Sequence, residues 1–174
     1  GVLDPARLEA ALGPDVALVS VMYANNEVGT IQPIARLAGL AHAAGAWFHC
    51  DAAQAAGKLP VEVAAAGVDL LSLAGHKFHG PPGAAALYVK RRTRLVPLVH
   101  GGHQERSRRA GTENLAAIVG LGAAAARAKG WLASDGPARV AALGERLRAG
   151  LGRAIPGATL NGDPDRRLRS IVNV

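Results

Sequence analysis

A short apolar run that ends in a glycine and a lysine constrains this chain most. Asp69-Leu70-Leu71-Ser72-Leu73-Ala74-Gly75-His76-Lys77 predicts a strand over Leu70 to Leu73 that breaks at Gly75. The chain then turns away through Gly80-Pro81-Pro82-Gly83, the glycine and proline pattern of a tight loop. A lysine at such a strand end has two possible fates. It can snorkel to water, because burying an ammonium costs several kcal/mol. Or it can sit in a pocket, where desolvation lowers its pKa and frees a neutral amine to attack a carbonyl.

A second run, Ala46-Trp47-Phe48-His49-Cys50-Asp51-Ala52-Ala53-Gln54, is another short apolar strand, and it ends in a carboxylate. Between the two, Val61 to Ala66 predicts a short helix. Upstream, Asp4-Pro5 marks the cap and first residue of a helix that stops at Gly13. Val16 to Met22 is nearly all apolar and predicts a strand buried on both faces. Pro33 starts a helix with Ile34, Leu37, Leu40 and Ala41 at helical spacing, ending at Gly45. Strand, helix, strand in this order implies a parallel sheet with helical crossovers. Asp51 and Lys77 then occupy the C-terminal edge, where open α/β sheets bind ligands. A lysine and an acid at that edge are what a pyridoxal phosphate enzyme needs. The lysine forms a Schiff base, and the acid keeps the pyridine nitrogen protonated.

Downstream, Ala84 to Val89 predicts a returning strand, antiparallel to the one before Lys77, and Arg94 to Val99 an extended segment. Ala116 to Ala128 predicts a helix of small residues. Ala138 to Leu151 predicts an amphipathic helix with Val140, Leu143, Leu147 and Leu151 as its apolar stripe. Asn161-Gly162-Asp163-Pro164 is a turn, and Ser170 to Val174 begins another strand. No internal repeat or low-complexity linker interrupts this order.

The pieces Asn25-Asn26-Glu27-Val28-Gly29, His49-Cys50-Asp51-Ala52-Ala53-Gln54, Gly75-His76-Lys77, and Gly101-Gly102-His103-Gln104-Glu105-Arg106 with Arg109-Ala110-Gly111-Thr112-Glu113-Asn114 stand in a telling order. With them the chain resembles the cysteine desulfurases, class V members of the fold-type I pyridoxal phosphate enzymes. The resemblance implies an α/β fold: a fold-type I PLP-transferase-like large domain, mostly parallel sheet flanked by helices. It is incomplete, with residues 1–130 in that domain and residues 131–174 as a connecting helix and the start of a small C-terminal domain. It implies Lys77 as the Schiff-base lysine and catalytic acid and base, and Asp51 at the pyridinium nitrogen. Gln54 would donate to the ring oxygen, Asn26 would lie near that oxygen or the substrate carboxylate, and His76 would bond the phosphate. Thr112, placed to open a helix, would reach the phosphate of a second subunit, so a homodimer is implied.

The implied cofactor is pyridoxal 5'-phosphate and the implied substrate L-cysteine. Sulfur would pass to an enzyme cysteine and on to a sulfur-acceptor or iron–sulfur scaffold protein. The catalytic cysteine, the substrate arginine and a phosphate-binding loop are not among these residues, so activity of the chain alone is not expected. Selenocysteine lyase or another class V enzyme, and a non-catalytic remnant or scaffold, are the alternatives. Three positions depart from the family pattern. Ala74 stands where a serine hydroxyl often meets the phosphate, Pro82 replaces the lysine of a Gly-Pro-Lys-Gly turn, and His103 replaces a glycine.

Composition excludes other classes. The chain has 174 residues, suits one domain and carries a formal charge of +7, yet only 3% of its residues are aromatic. Its basic run Lys90-Arg91-Arg92-Thr93-Arg94 lacks interleaved aromatics for base stacking, so no nucleic acid is expected. No apolar run approaches the roughly 18–20 residues that cross a bilayer, so no membrane is expected either. No signal peptide is recognised, and one cysteine, Cys50, forms no internal disulfide; both fit a cytoplasmic protein. Cys50 lies within a predicted strand and is expected to be a small core residue. The pairs His76-x-x-His79 and His100-x-x-His103 have no matching ligand set, so no metal is expected.

Overall fold

The computed structural model describes residues 1–174. Helix α1 (Pro5–Ala11) is capped by Asp4, whose carboxylate accepts the Ala6 N–H at 2.9 Å. The chain then alternates β1 (Leu18–Met22), α2 (Ile34–Ala43), β2 (Trp47–Asp51), α3 (Val63–Ala66) and β3 (Leu70–Ala74). A 3-10 turn, Gly75–Phe78, leads into β4 (Ala85–Val89). One irregular turn, α4 (Gln104–Ser107), precedes the long helices α5 (Leu115–Leu132) and α6 (Gly136–Ala154).

The sheet order is β1-β2-β3-β4, with the first three strands parallel and β4 antiparallel to β3. Register aligns the strand ends: Met22 lies opposite Asp51, and Asp51 opposite Ser72. The edge that carries Asp51 and the turn that carries Lys77 therefore belong to neighbouring strands.

One face of the sheet is a core. Val19, Phe48, Cys50 and Leu71 project into it and meet Ile34, Leu37, Ala38 and Ala41 of α2, with Val68 completing the cluster. Phe48 and Leu37 are wholly buried, and burying a side chain of that size stabilises by about 1.5–3 kcal/mol. At the N-terminal edge, buried Asp69 ties three elements together. Its carboxylate accepts from the Phe48 N–H (2.9 Å), His42 Nε2 (2.6 Å) and Lys90 Nζ (3.2 Å). Burial alone would push the Asp69 carboxyl up; these donors outweigh it and hold it below the usual carboxylate range.

The other sheet face is open. Leu18 is 50% exposed and Leu87 51%, so β1 is not buried on both faces as its apolar run implies. An apolar run has the same composition whether one face or two find a cover, and this chain supplies cover for one.

Four further expectations change. α5 extends to Leu132, giving an 18-residue helix of mean hydropathy 1.2, which by length and composition suffices to cross a bilayer. The sequence reading missed it because Arg127 and Lys129 interrupt the run. Its small face packs on the lysine-bearing turn instead: a Cβ on Gly120 would stand 2.8 Å from Pro81. In α6 the stripe is not the packed face, since Leu143 is 62% and Leu147 54% exposed. Gly144 is buried there, because its bare Cα admits the Arg169 carbonyl where a Cβ would collide.

Ser170–Val174 forms no strand. The segment before it doubles back on the loop after β1: Arg166 C=O accepts from Ile31 N–H (2.8 Å) and Gly29 C=O from Leu168 N–H (2.9 Å). Finally, Thr112 does not open a helix. Asn114 caps α5, accepting the Ala117 N–H at 3.1 Å, and Thr112 lies exposed in the loop before it.

Candidate active site

Asp51 is the last residue of β2, on the sheet face opposite the apolar core, and is half-buried. Its backbone is anchored from both sides. The Asp51 C=O accepts the Tyr23 N–H at 2.8 Å, and the next residue, Ala52, donates its N–H to Ser72 C=O at 2.8 Å. One carboxylate oxygen, Oδ1, accepts the Ala53 N–H at 2.9 Å. No cation pairs with Asp51, so the second oxygen can take a donor from a ligand. Two residues earlier on the same face, His49 bridges three strands. Its Nδ1 lies 2.7 Å from Ser20 Oγ on β1 and its Nε2 3.1 Å from Ser72 Oγ on β3.

After Asp51 the chain makes a compact turn, with Ala52 C=O accepting the N–H groups of Ala55 (3.0 Å) and Ala56 (2.9 Å). Gln54 stands on this turn. Lys58, four residues on, donates Nζ to the Gln54 backbone carbonyl (3.1 Å) and to its side-chain Oε1 (3.3 Å). Gly57 makes the next approach possible. At φ +75° it lies in the left-handed region that favours glycine, and an added Cβ would stand 2.6 Å from Phe78 Cβ.

Phe78 belongs to the turn that carries His76 and Lys77. That turn closes on itself: Gly75 N–H donates to Ala84 C=O and Gly80 N–H to Gly75 C=O, both at 2.8 Å. Phe78 is buried against Ala56 and Ala124, while His76 and Lys77 project outward and are exposed. Lys77 lines a cavity of about 940 Å³ beside Lys58. Of the two possible fates for Lys77, the chain's own residues give a mixed outcome: the side chain borders a pocket without being enclosed. Burial, then the Lys77 charge, lowers the pKa of Lys58.

Asp51, Gln54 and Lys77 thus stand on one sheet edge, Asp51 and Gln54 on one turn and Lys77 on the next strand's. Asn26 lies on the loop after β1, exposed, while its neighbour Asn25 caps that loop by accepting the Glu27 (2.8 Å) and Val28 (2.9 Å) N–H groups. Thr112 is not drawn to these residues by any hydrogen bond, and its loop is held by Arg109, which donates to the Ala110 and Gly111 carbonyls. Cys50 is fully buried, and burial, with the Asp51 charge adding to it, pushes the thiol up to about 12. A thiol so placed is not a nucleophile near neutral pH.

Sequence reasoning missed Lys58 and the Ser20-His49-Ser72 bridge. The bridge had a signal, since His49 shares Asp51's strand face by alternation. Lys58 had none beyond its four-residue spacing from Gln54.

A family model described as Aminotransferase class-V matches residues 1–174. The chain belongs to the class V aminotransferase family. It is 51% identical over all 174 residues to a cysteine desulfurase of Gluconacetobacter diazotrophicus and spans 43% of that protein's length. Among solved structures, a NifS-like protein from Rickettsia africae superposes with a TM-score of 0.88 at 34% identity, over 97% of this chain and 47% of that one. SspA in complex with cysteine matches with a TM-score of 0.69 at 43% identity, over 71% of this chain and 36% of that one. The α/β architecture of a mixed sheet flanked by helices is therefore that of the NifS-like enzymes, of which this chain corresponds to about half.

Proposed function

We propose that this chain is the central portion of a pyridoxal phosphate-dependent cysteine desulfurase. The observation that carries the reading is the placement of a carboxylate with no cation partner, Asp51, and an accessible amine, Lys77, at the ends of adjoining strands. The donor set fits the ring of pyridoxal phosphate. Asp51 offers an acceptor for a protonated ring nitrogen, Gln54 an amide for the ring oxygen, and Lys77 an amine for the carbonyl. It fits the phosphate less fully, since Ala74 brings no hydroxyl and the phosphate would rely on donors such as His76 on the turn. Thr112, exposed in its loop, is free to serve a second subunit, and Asn26 to serve the substrate carboxylate. Bound there, the cofactor supplies a carbonyl for amine capture and a ring that takes up electrons. Lys77 would then hold and return the proton at the substrate's α-carbon, while Asp51 fixes the charge at the ring nitrogen.

The names of the relatives favour L-cysteine as substrate, with sulfur passed to an enzyme cysteine, then to an acceptor or iron–sulfur scaffold protein. Cys50 is unsuited to that step, so we assign the acceptor thiol to a portion of the enzyme that these residues do not include. The whole enzyme would be a cytoplasmic homodimer, with residues 1–130 in the large domain and 131–174 leading to the small one. Adding pyridoxal phosphate to the chain should produce an absorbance band unlike that of the free cofactor, and L-cysteine should change it. A spectrum identical to free cofactor, in protein shown to be folded, would exclude the reading.

A further inference from the structure

Lys58 makes two contacts to one residue, the Gln54 carbonyl at 3.1 Å and Gln54 Oε1 at 3.3 Å. An ammonium has three donors and no acceptor, so only the oxygen of the Gln54 amide can face it. The amide Nε2 is thereby turned away from Lys58, and its two N–H groups meet no protein acceptor. A free glutamine can present either its oxygen or its nitrogen to a ligand; this one is restricted to donation. The contact is charge-assisted and half-buried, which strengthens it relative to an exposed one.

Lys58 is itself held in place. Gly57, in the left-handed region, lets the turn lie directly against Phe78, and Lys58 and Lys77 line one cavity. No carboxylate lines that cavity, so nothing there competes with Gln54 for the Lys58 ammonium.

We propose that Lys58 is a positioning residue that holds the Gln54 amide oxygen and so makes Gln54 an obligate hydrogen-bond donor to an anionic oxygen of the bound cofactor. The second half of this statement rests on the reading of Gln54 as a cofactor ligand; the first half does not.

The test uses the full chain, as wild type, Lys58→Met, Lys58→Gln and Lys58→Arg. In ¹⁵N-labelled protein the Gln54 side-chain N–H₂ signals, assigned with Gln54→Asn, should move in Lys58→Met and Lys58→Gln and stay near their wild-type positions in Lys58→Arg. Titration with pyridoxal phosphate should show affinity falling on the order of tenfold in the two neutral variants, the scale of one hydrogen bond to a charged group. Lys58→Arg should recover most of that loss. A purely structural role would instead lower the melting temperature in all three variants alike and leave the ratio of affinities near one. Should Lys58→Met not fold, Lys58→Gln carries the comparison. Gln54 signals that do not move in a folded neutral variant overturn the proposal. A wild type that binds no cofactor overturns the functional reading instead, and the amide signals still decide whether Lys58 orients Gln54.

Discussion

Gly57→Ala should uncouple the two turns of the candidate site. At φ +75° an alanine enters the left-handed region, which costs an L-residue about 1–2 kcal/mol. Its Cβ would meet Phe78 Cβ at 2.6 Å. That atom is the root of a buried side chain, not a flexible tip, so the backbone must shift, at about 1–3 kcal/mol for overpacking. The sum, about 2–5 kcal/mol, lowers the melting temperature by roughly 10 °C in a domain of this size. The shift also moves Lys77, one residue from Phe78, away from Lys58. Differential scanning calorimetry of wild type, Gly57→Ala and Gly39→Ala measures it. Gly39 is the internal control, on helix α2 with nothing within 4 Å of an added Cβ, so Gly39→Ala should stabilise by about 0.5–1 kcal/mol. A Gly57→Ala protein that melts with the wild type would refute the close approach of the two turns.

Two further outcomes follow from titratable groups. Asp69 is held below the usual carboxylate range in the fold, so its contribution is complete above the unfolded value of about 4 and is lost as pH falls through the lower, folded one. Chemical denaturation should therefore show an acid-side loss of stability that is smaller in Asp69→Asn; equal acid slopes would remove Asp69 as its source. Cys50, buried with its thiol pushed up to about 12, should resist iodoacetamide at pH 8 in the folded chain and react once it unfolds. Rapid native labelling would mean that the thiol is accessible and make it a candidate sulfur acceptor after all.

What the sequence made legible was the sheet edge. β2 and β3 follow from apolar runs bounded by Gly45 and Gly67, and their order follows from the intervening helical spacing. Asp51 and Lys77 then fall at neighbouring strand ends by topology alone. What stayed hidden depended on contacts between distant segments. The open face of β1 cannot be told from a buried one by composition, because Leu18 is apolar whether or not anything covers it. The packed face of α6 is chosen by Gly144, which admits the Arg169 carbonyl, against a leucine stripe that looks more persuasive. The β-branched Ile171, Val172 and Val174 suggest a strand, but their segment is held through Arg167 and Leu168 against Thr30 and Gly29, with no strand beside it to extend. Lys58 was invisible because a four-residue spacing in a turn carries none of the regularity that it has in a helix.

The central claim is that Lys77 captures the cofactor, and borohydride reduction followed by peptide mapping tests it most directly. The chain has four lysines, Lys58, Lys77, Lys90 and Lys129. Lys58 is the informative rival, because its lowered pKa favours the neutral amine that attacks a free aldehyde, and it lines the same cavity. The account predicts that pyridoxal phosphate is fixed to the peptide containing Lys77, and that Lys77→Ala removes the label. A label on Lys58 that persists in Lys77→Ala would contradict it.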